Sequence, residues 1–332
     1  MKQNQEVWQQ LISDDLAGMG ESEILKRYRV LKKISIDDFN GRFGAGTKSA
    51  ENRAVIIDVE TTGLGYQDQG VTQVAMIEVF YQDSRIIRIG NSYKALHDPG
   101  INISHEATLV TGIENSDVQG RSIDPRELTD FIGSRETLLI AHNASFDRPA
   151  LEREFFPQFQ ANPWACSLSD VNWLARGLAG KLELALCQLG YFYEAHDALE
   201  DVIAVAYLLN HVDERGQTAW SELVAGSDVK GGMIQVALDG KNKRPNVFEH
   251  FKNALSPRGF RYKPALEAAG GRASFLKSYK SLTSEDAESD LSYIESETIA
   301  QEVIIYEVES RDRFTNRTGT AITKPIKRDL KF

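Results

Sequence analysis

Apolar residues fall into distinct patterns along the chain, and each pattern predicts a different element. Near the N-terminus they recur at helical spacing, at Trp8, Leu11 and Ile12 and again at Ile24, Leu25, Tyr28 and Leu31. Residues 1–50 are therefore expected to be a polar helical segment, broken by the glycines of residues 41–46 (GRFGAG), which read as a linker. Residues 54–59 (AVIIDV) form instead a continuous apolar run rich in branched side chains, the pattern of a strand buried on both faces. Residues 137–141 (TLLIA) have the same character, and 73–81 and 85–93 add two more strands. Helical stretches are expected over 124–132, 145–155, 168–178, 182–189 and 199–209. Strands first, then strands mixed with helices, predict an α/β sheet covered by helices.

The pattern changes again near Arg215. Residues 233–238 alternate like a strand, and 247–255 suit a short helix stopped by Pro257 and Gly259. Short strands are expected at 260–262 and 275–279 and a final one at 303–308 (VIIYEV). Residues 285–298 suit a helix whose first turn is acidic, as the helix dipole favours. Three segments result: an N-terminal helical segment and linker (1–50), an α/β domain (51–215) and a small α+β domain (216–332). A length of 332 residues agrees with about two domains.

Cysteine occurs only at Cys166 and Cys187, which excludes a disulfide scaffold and a cysteine-rich zinc domain and suits a reducing compartment. No apolar run is long enough for a membrane span, and the N-terminus lacks the layout of a signal peptide, so a cytoplasmic protein is expected. The net charge of −10 argues at first against a nucleic-acid partner, but the charge is unevenly spread. Residues 230–280 carry +8, residues 281–309 carry −9 and residues 310–332 carry +5, leaving −14 on residues 1–229. The basic window also interleaves Phe248, Phe251, Phe260, Tyr262, Phe275 and Tyr279. These aromatics either form the small domain's own core or, with the basic residues, make a platform for a single strand.

Candidate chemistry lies in three acidic motifs. Asp58 and Glu60 sit two residues apart at the end of the first buried strand, so they share a face at the edge where open α/β sheets bind ligands. Two adjacent carboxylates repel unless a cation lies between them, and hard divalent cations prefer oxygen ligands. Asn143 and Asp147 (NASFD) follow the TLLIA strand, with Asp147 in the first turn of the next helix. His196 and Asp201 (HDALED) stand before and within the helix that follows. Each motif alone has an ordinary explanation, as a solvated strand end, a helix cap or a loop histidine.

In this order, D-x-E, N-x-x-x-D and H-x-x-x-x-D, the set resembles the DEDDh family of 3′–5′ exonucleases. Residues 58–64 (DVETTGL) are very like the DTETTGL common there, and 103–113 (ISHEATLVTGI) resemble the family's segment between the first two motifs. The resemblance covers residues 51–212. It is closest to the branch holding the proofreading ε subunit of bacterial DNA polymerase III and its stand-alone relatives. The C-terminal strings RGFRYKP, GGRASFLKSY and RDRF are similar to an extension of some of those relatives.

The resemblance implies a ribonuclease H-like mixed sheet and a metal-dependent 3′–5′ exonuclease acting on single-stranded DNA ends. Asp58, Glu60, Asp147 and Asp201 would be ligands of two Mg²⁺ or Mn²⁺ ions, Asp147 mainly through water, and His196 the general base. Histidine suits that role because it changes charge near neutral pH. Thr61, Thr62 and Gly63 would hold the 3′-terminal nucleotide, Leu64 would pack on the terminal base, and Asn143 and Phe146 would add contacts, Phe146 being equally suited to the core. His142 has no assigned role. An exoribonuclease on RNA or short oligonucleotides would use the same residues. A non-catalytic adaptor for a nucleic-acid end or a polymerase is a third reading, against which the four carboxylates count. Partners would be 3′ ends, DNA before RNA, and a DNA polymerase or another replication or repair protein, with no membrane.

Two strings admit a second reading. Residues 188–192 (QLGYF) faintly resemble a sliding-clamp peptide, though a buried helix end explains them better. Tyr193 and Asp197 also fit the Y-x-x-x-D pattern of the sister tyrosine group. With His196 and Asp201 in place, Asp201→Asn should abolish hydrolysis and Asp197→Asn should leave part of it. Activity that survives the first and is lost in the second would move the assignment to Tyr193 and Asp197.

Overall fold

The computed structural model describes residues 18–20, 23, 26–44, 51–63, 69–155, 157–227, 231–237, 245–263, 274–279, 282–296, 302–315, 320–321 and 326–327. The expected helical positions Trp8, Leu11, Ile12, Ile24 and Leu25 lie outside these residues. Glu23, Lys26 and Arg27 are helical, but Tyr28 and Leu31, expected on the same helix, lie in non-helical chain that leads into a short strand, β1 (Lys32–Lys33), and a helix, α1 (Ile36–Phe43). The helix runs through Gly41, where a linker was expected. Ser35 caps it, and Phe39, with no exposed surface, anchors it in the core beside Phe43.

A five-stranded mixed sheet follows, built from β2 (Asn52–Thr61), β3 (Val71–Gln82), β4 (Arg85–Leu96), β5 (Leu138–Ala141) and β6 (Trp164–Cys166). Its spatial order is β4-β3-β2-β5-β6, with β4, β3 and β2 antiparallel and β2, β5 and β6 parallel. This is the ribonuclease H-like arrangement. The β3–β4 hairpin turns at Asp83, whose φ of 52° is the left-handed conformation such tight turns need. Because β2 is central, its apolar run is buried on both faces, and alternate residues serve different cores. Ala54 and Ile56 face α1, α6 (Leu182–Gln188), α7 (Ala198–Leu209) and α8 (Ala219–Ser227). Val55, Ile57 and Val59 face α4 (Pro125–Ile132) and α5 (Ala144–Glu154). Two short helices, α2 (His105–Thr111) and α3 (Asn115–Val118), lie between β4 and α4.

The helix expected over 168–178 is only a 3₁₀ turn at Leu174–Arg176. Asp170 accepts from the Cys166 N–H (2.8 Å) and the Trp173 indole donates to the Ser167 carbonyl (2.7 Å), and these bonds fold the segment back on β6. The string 188–192 does not continue a helix. Leu189 packs on the core, and β7 (Tyr191–Phe192) pairs in parallel with β1.

The C-terminal residues form a second, antiparallel sheet from β8 (Gly231–Ala237), β9 (Arg261–Lys263), β10 (Ser274–Tyr279), β11 (Glu302–Val308) and β12 (Thr320–Ala321), ordered β12-β11-β8-β10-β9. A further strand, β13 (Ile326–Lys327), also pairs with β11. Helices α9 (Pro245–Leu255) and α10 (Glu285–Ser296) supply the rest of its core. Of the six aromatics in the basic window, Phe251, Phe260, Phe275 and Tyr279 are buried and Phe248 packs on them, while Tyr262 stays exposed. The acidic α10 also offsets part of the basic charge. Its Asp290 takes Lys277 at 2.6 Å and Arg258 at 2.7 Å, and Arg258 lies over Tyr293. No helix among the described residues is long and apolar enough to cross a membrane.

Residues 310–315 return to the first sheet. Arg148 of α5 has no exposed surface and donates to the carbonyls of Arg313 (2.7 Å) and Arg311 (2.6 Å). Arg313 in turn pairs with Asp170, itself buried, and Phe314 packs on the α4–α5 core. Removing one partner of a buried ion pair strands the other charge, so Arg313→Met should cost about 3–5 kcal/mol. Urea unfolding should show this as a lower midpoint, partly recovered when Asp170→Asn is added. An unchanged midpoint would contradict the seat described for this segment.

Candidate active site

Strand alternation puts Asp58 and Glu60 on the same face as Ala54 and Ile56, under helix α7. That helix carries Asp201 in its first turn. One carboxylate oxygen each from Asp58, Glu60 and Asp201 lies within 4.8 Å of the others. Helix α5 covers the opposite face, yet its N-terminus reaches around the end of β2. There Asp147, 3% exposed, accepts a bond from the Val59 N–H (3.3 Å), between Asp58 and Glu60 in the chain. The structure thus brings all four carboxylates to the carboxyl end of β2.

His196 occupies the turn before α7 with a φ of 69°, uncommon for a residue with a Cβ. Its backbone N–H donates to Asp201 Oδ2 (2.9 Å), and its side chain is exposed. The Tyr193 hydroxyl, buried, also bonds Asp201. Asp197 does another job. It caps α7, accepting from the N–H groups of Leu199 (3.0 Å) and Glu200 (3.4 Å), and it pairs with Lys94 (2.7 Å). Asp201, not Asp197, is the carboxylate grouped with Asp58 and Glu60 among the described residues.

Thr61 and Thr62 are buried and their hydroxyls bond within the loop. Thr61 Oγ1 donates to the Gly63 carbonyl (3.0 Å), and Thr62 Oγ1 accepts from the Gly70 N–H (3.1 Å). A Cβ at Gly63 would lie 3.4 Å from Ser104 Oγ. Leu64 lies outside the described residues. Asn143 is exposed at the N-cap of α5, and Phe146 is half-buried against the α4–α5 core. His142 bonds Ser167 Oγ and the Gly180 carbonyl, each at 2.8 Å, which ties β5 to the loop before α6. Burial lowers its pKa and favours the neutral ring. Lys94 was not foreseen. It stands opposite Ala75, which stands opposite Asp58, so Lys94 shares the row and the face of Asp58 two strands away.

Crowding and burial raise the pKa values of the whole cluster. Burial, then the fields of Asp147, Asp201 and Glu60, hold Asp58 well above the usual carboxylate range. Burial and the fields of Asp201 and Asp147 push Glu60 to about 8. Burial likewise raises Asp147 to about 7 and Asp201 to about 6, although hydrogen bonds pull both down. Asp197 differs: burial raises it, but Lys94 and two backbone N–H groups bring it below its ordinary value. An all-oxygen donor set that repels itself in this way fits a hard divalent cation such as Mg²⁺ or Mn²⁺.

Comparisons with known proteins bear on the same segment. Residues 55–209 match the family model described as exonuclease (RNase T). DNA polymerase III PolC-type of Clostridium perfringens is 27% identical over 169 residues, which is 49% of this chain and 11% of that protein. The PolC-type polymerase of Thermotoga petrophila is 28% identical over 158 residues, 46% of this chain and 11% of its own length. The chain therefore spans about a tenth of these relatives. Among solved structures, exonuclease X in complex with 5′-overhanging duplex DNA is 26% identical, with a TM-score of 0.35 over 46% of this chain and 86% of that one.

The raised carboxyl groups set a pH dependence. Their folded pKa values exceed the ordinary 3.8 and 4.5, so the protonated forms favour the fold. This stabilisation is complete below those ordinary values and is lost as pH rises through about 6 to about 8. In chelator, Asp58→Asn should therefore melt above the wild type at pH 8 and nearer to it at pH 5. A difference that does not change with pH would contradict the crowding.

Proposed function

We propose, on the premise that residues 55–209 belong to the exonuclease family, that this protein is a metal-dependent 3′–5′ exonuclease acting on single-stranded DNA ends. The observation that carries the reading is the meeting of Asp58, Glu60 and Asp201 within 4.8 Å at the end of β2, with the His196 turn bonded to Asp201. Two divalent ions would make a nucleophile from water near neutral pH and stabilise charge on the attacking and leaving oxygens.

The chain's own residues do the rest. Asp58, Glu60 and Asp201 would hold the ions, and Asp147, anchored on the Val59 N–H, completes the acidic wall. His196 would take the proton of the attacking water on its ring nitrogen. The hydroxyls of Thr61 and Thr62 already brace the loop, so they shape the turn that would receive the 3′ nucleotide at Gly63 and Leu64. Asn143 and Phe146, at the start of α5, border the same end of the sheet.

DNA is favoured over RNA because the curated relatives are DNA polymerases that carry a segment like this one. A polymerase or repair protein would accordingly be the partner, and the reduced thiols of Cys166 and Cys187 suit a cytoplasmic setting. The exonuclease unit would span 51–215 and the α+β unit 216–332, with α8 docked on the first through Ala219, Trp220 and Leu223.

Incubation with 5′-labelled single-stranded DNA and RNA in Mg²⁺ or Mn²⁺ tests the reading. The product ladder should shorten from the 3′ end, faster on DNA, and should vanish with chelator and in Asp58→Ala. A faster ladder on RNA would make the protein an exoribonuclease. Intact substrate under every metal condition would favour the binding adaptor.

A further inference from the structure

The His196 turn is conformationally costly, and its support comes from a distant part of the chain. A left-handed φ is disfavoured for a residue with a side chain, and it persists only where the surroundings impose it. On one side the His196 N–H is fixed to Asp201 Oδ2. On the other side the next residue, Asp197, is gripped by the Lys94 ammonium at 2.7 and 2.8 Å from its two oxygens. Lys94 lies 103 positions away in sequence, on β4, whose pairing fixes it in the row of Asp58.

We propose that Lys94 is a positioning residue for the reaction: through Asp197 it locks the 193–197 turn and so aims His196 at the carboxylate cluster. Asp197 is suited to transmit this, because the carboxylate that meets Lys94 also caps the helix carrying Asp201. One ion pair therefore sets the turn holding His196 and the first turn holding Asp201 against β4, in the row of the sheet that also holds Asp58. Both partners are partly exposed, with side chains 33% and 40% accessible, and such pairs add little to global stability. Their contribution is to geometry. The lysine also counters the carboxylates, since its field lowers the Glu60 pKa, but its contact is with Asp197.

The inference rests on His196 as the base in the proposed exonuclease. It is tested with full-length Lys94→Met, Lys94→Arg, Asp197→Asn and the Lys94→Met/Asp197→Asn double variant, at saturating Mg²⁺ on labelled single-stranded DNA. Asparagine keeps the helix cap and loses only the ion pair. A small displacement of a reacting group is costly, so kcat should fall about tenfold or more in Lys94→Met and in Asp197→Asn, with KM and melting temperature unchanged. The double variant should be no slower than either single variant, because both act through one contact. Lys94→Arg should restore most of kcat. A raised KM with unchanged kcat would overturn the proposal and make Lys94 a substrate contact. Wild-type behaviour of Asp197→Asn, additive losses in the double variant, or losses that track melting temperature would overturn it as well. Trimming by the wild type and by Lys94→Met at equal rates removes the role of Lys94 alone, whereas no trimming by the wild type removes the exonuclease reading with it.

Discussion

Mutual repulsion among four carboxylates at the end of one buried strand is the constraint around which this molecule is arranged. Asp58 and Glu60 come from β2, Asp147 from a helix on one face of the sheet and Asp201 from a helix on the other. Burial and proximity raise all four pKa values, so the cluster opposes folding unless it takes up protons or cations. The surrounding structure must hold it together. Apolar layers on both faces of β2 do so, and backbone N–H groups from Val59 and His196 fasten two of the carboxylates individually.

The parts outside the central sheet brace the same two helices. The N-terminal helix α1 packs Phe39 edge-on against Tyr207 of α7, and the Tyr207 hydroxyl donates to the Ser35 carbonyl (2.9 Å). At the other end of the chain, residues 311–313 satisfy Arg148, the neighbour of Asp147 in α5. A buried guanidinium needs such partners, and here two of the carbonyls come from the segment between β11 and β12 of the second sheet. Residues 311–313 are therefore structurally joined to the helix that carries Asp147.

Charge and aromatic content acquire a different meaning once folded. Where both are described, the basic window and the acidic window that follows it meet, with Lys277 and Arg258 on Asp290. Among the described residues, five of the interleaved aromatics are spent on a core, and Tyr262 stays exposed at its edge, against Phe248 and Phe275. Linear charge counts overstate a binding surface when opposite windows are neighbours in space.

Local pattern carried much of this protein. Branched apolar runs report strands buried on both faces, and period-two alternation puts Asp58 and Glu60 on one face without knowledge of any other element. The first turn of a helix after a strand locates Asp147 and Asp201 in the same local way. Other features needed the third dimension. Residues 168–178 have helical spacing, yet the buried Asp170 is drawn back to the Cys166 N–H and to the distant Arg313, and these bonds prevail over the helical preference. Asp197 and Asp201 both fit a linear motif, and the run of residues 198–201 into an apolar helix favours Asp201, but the capping that turns Asp197 to Lys94 and leaves Asp201 to the cluster is visible only in the fold. Lys94 itself shows the limit most clearly. Regular pairing outward from the Gln82–Arg85 end of the hairpin would set Ser92 opposite Ala75, but two irregularities between β3 and β4 shift the register and bring Lys94 there instead. Side-chain periodicity is a property of neighbouring residues and can be read from the chain. Register, capping and the closure of distant segments depend on what the rest of the fold presents, and only the assembled structure decides them.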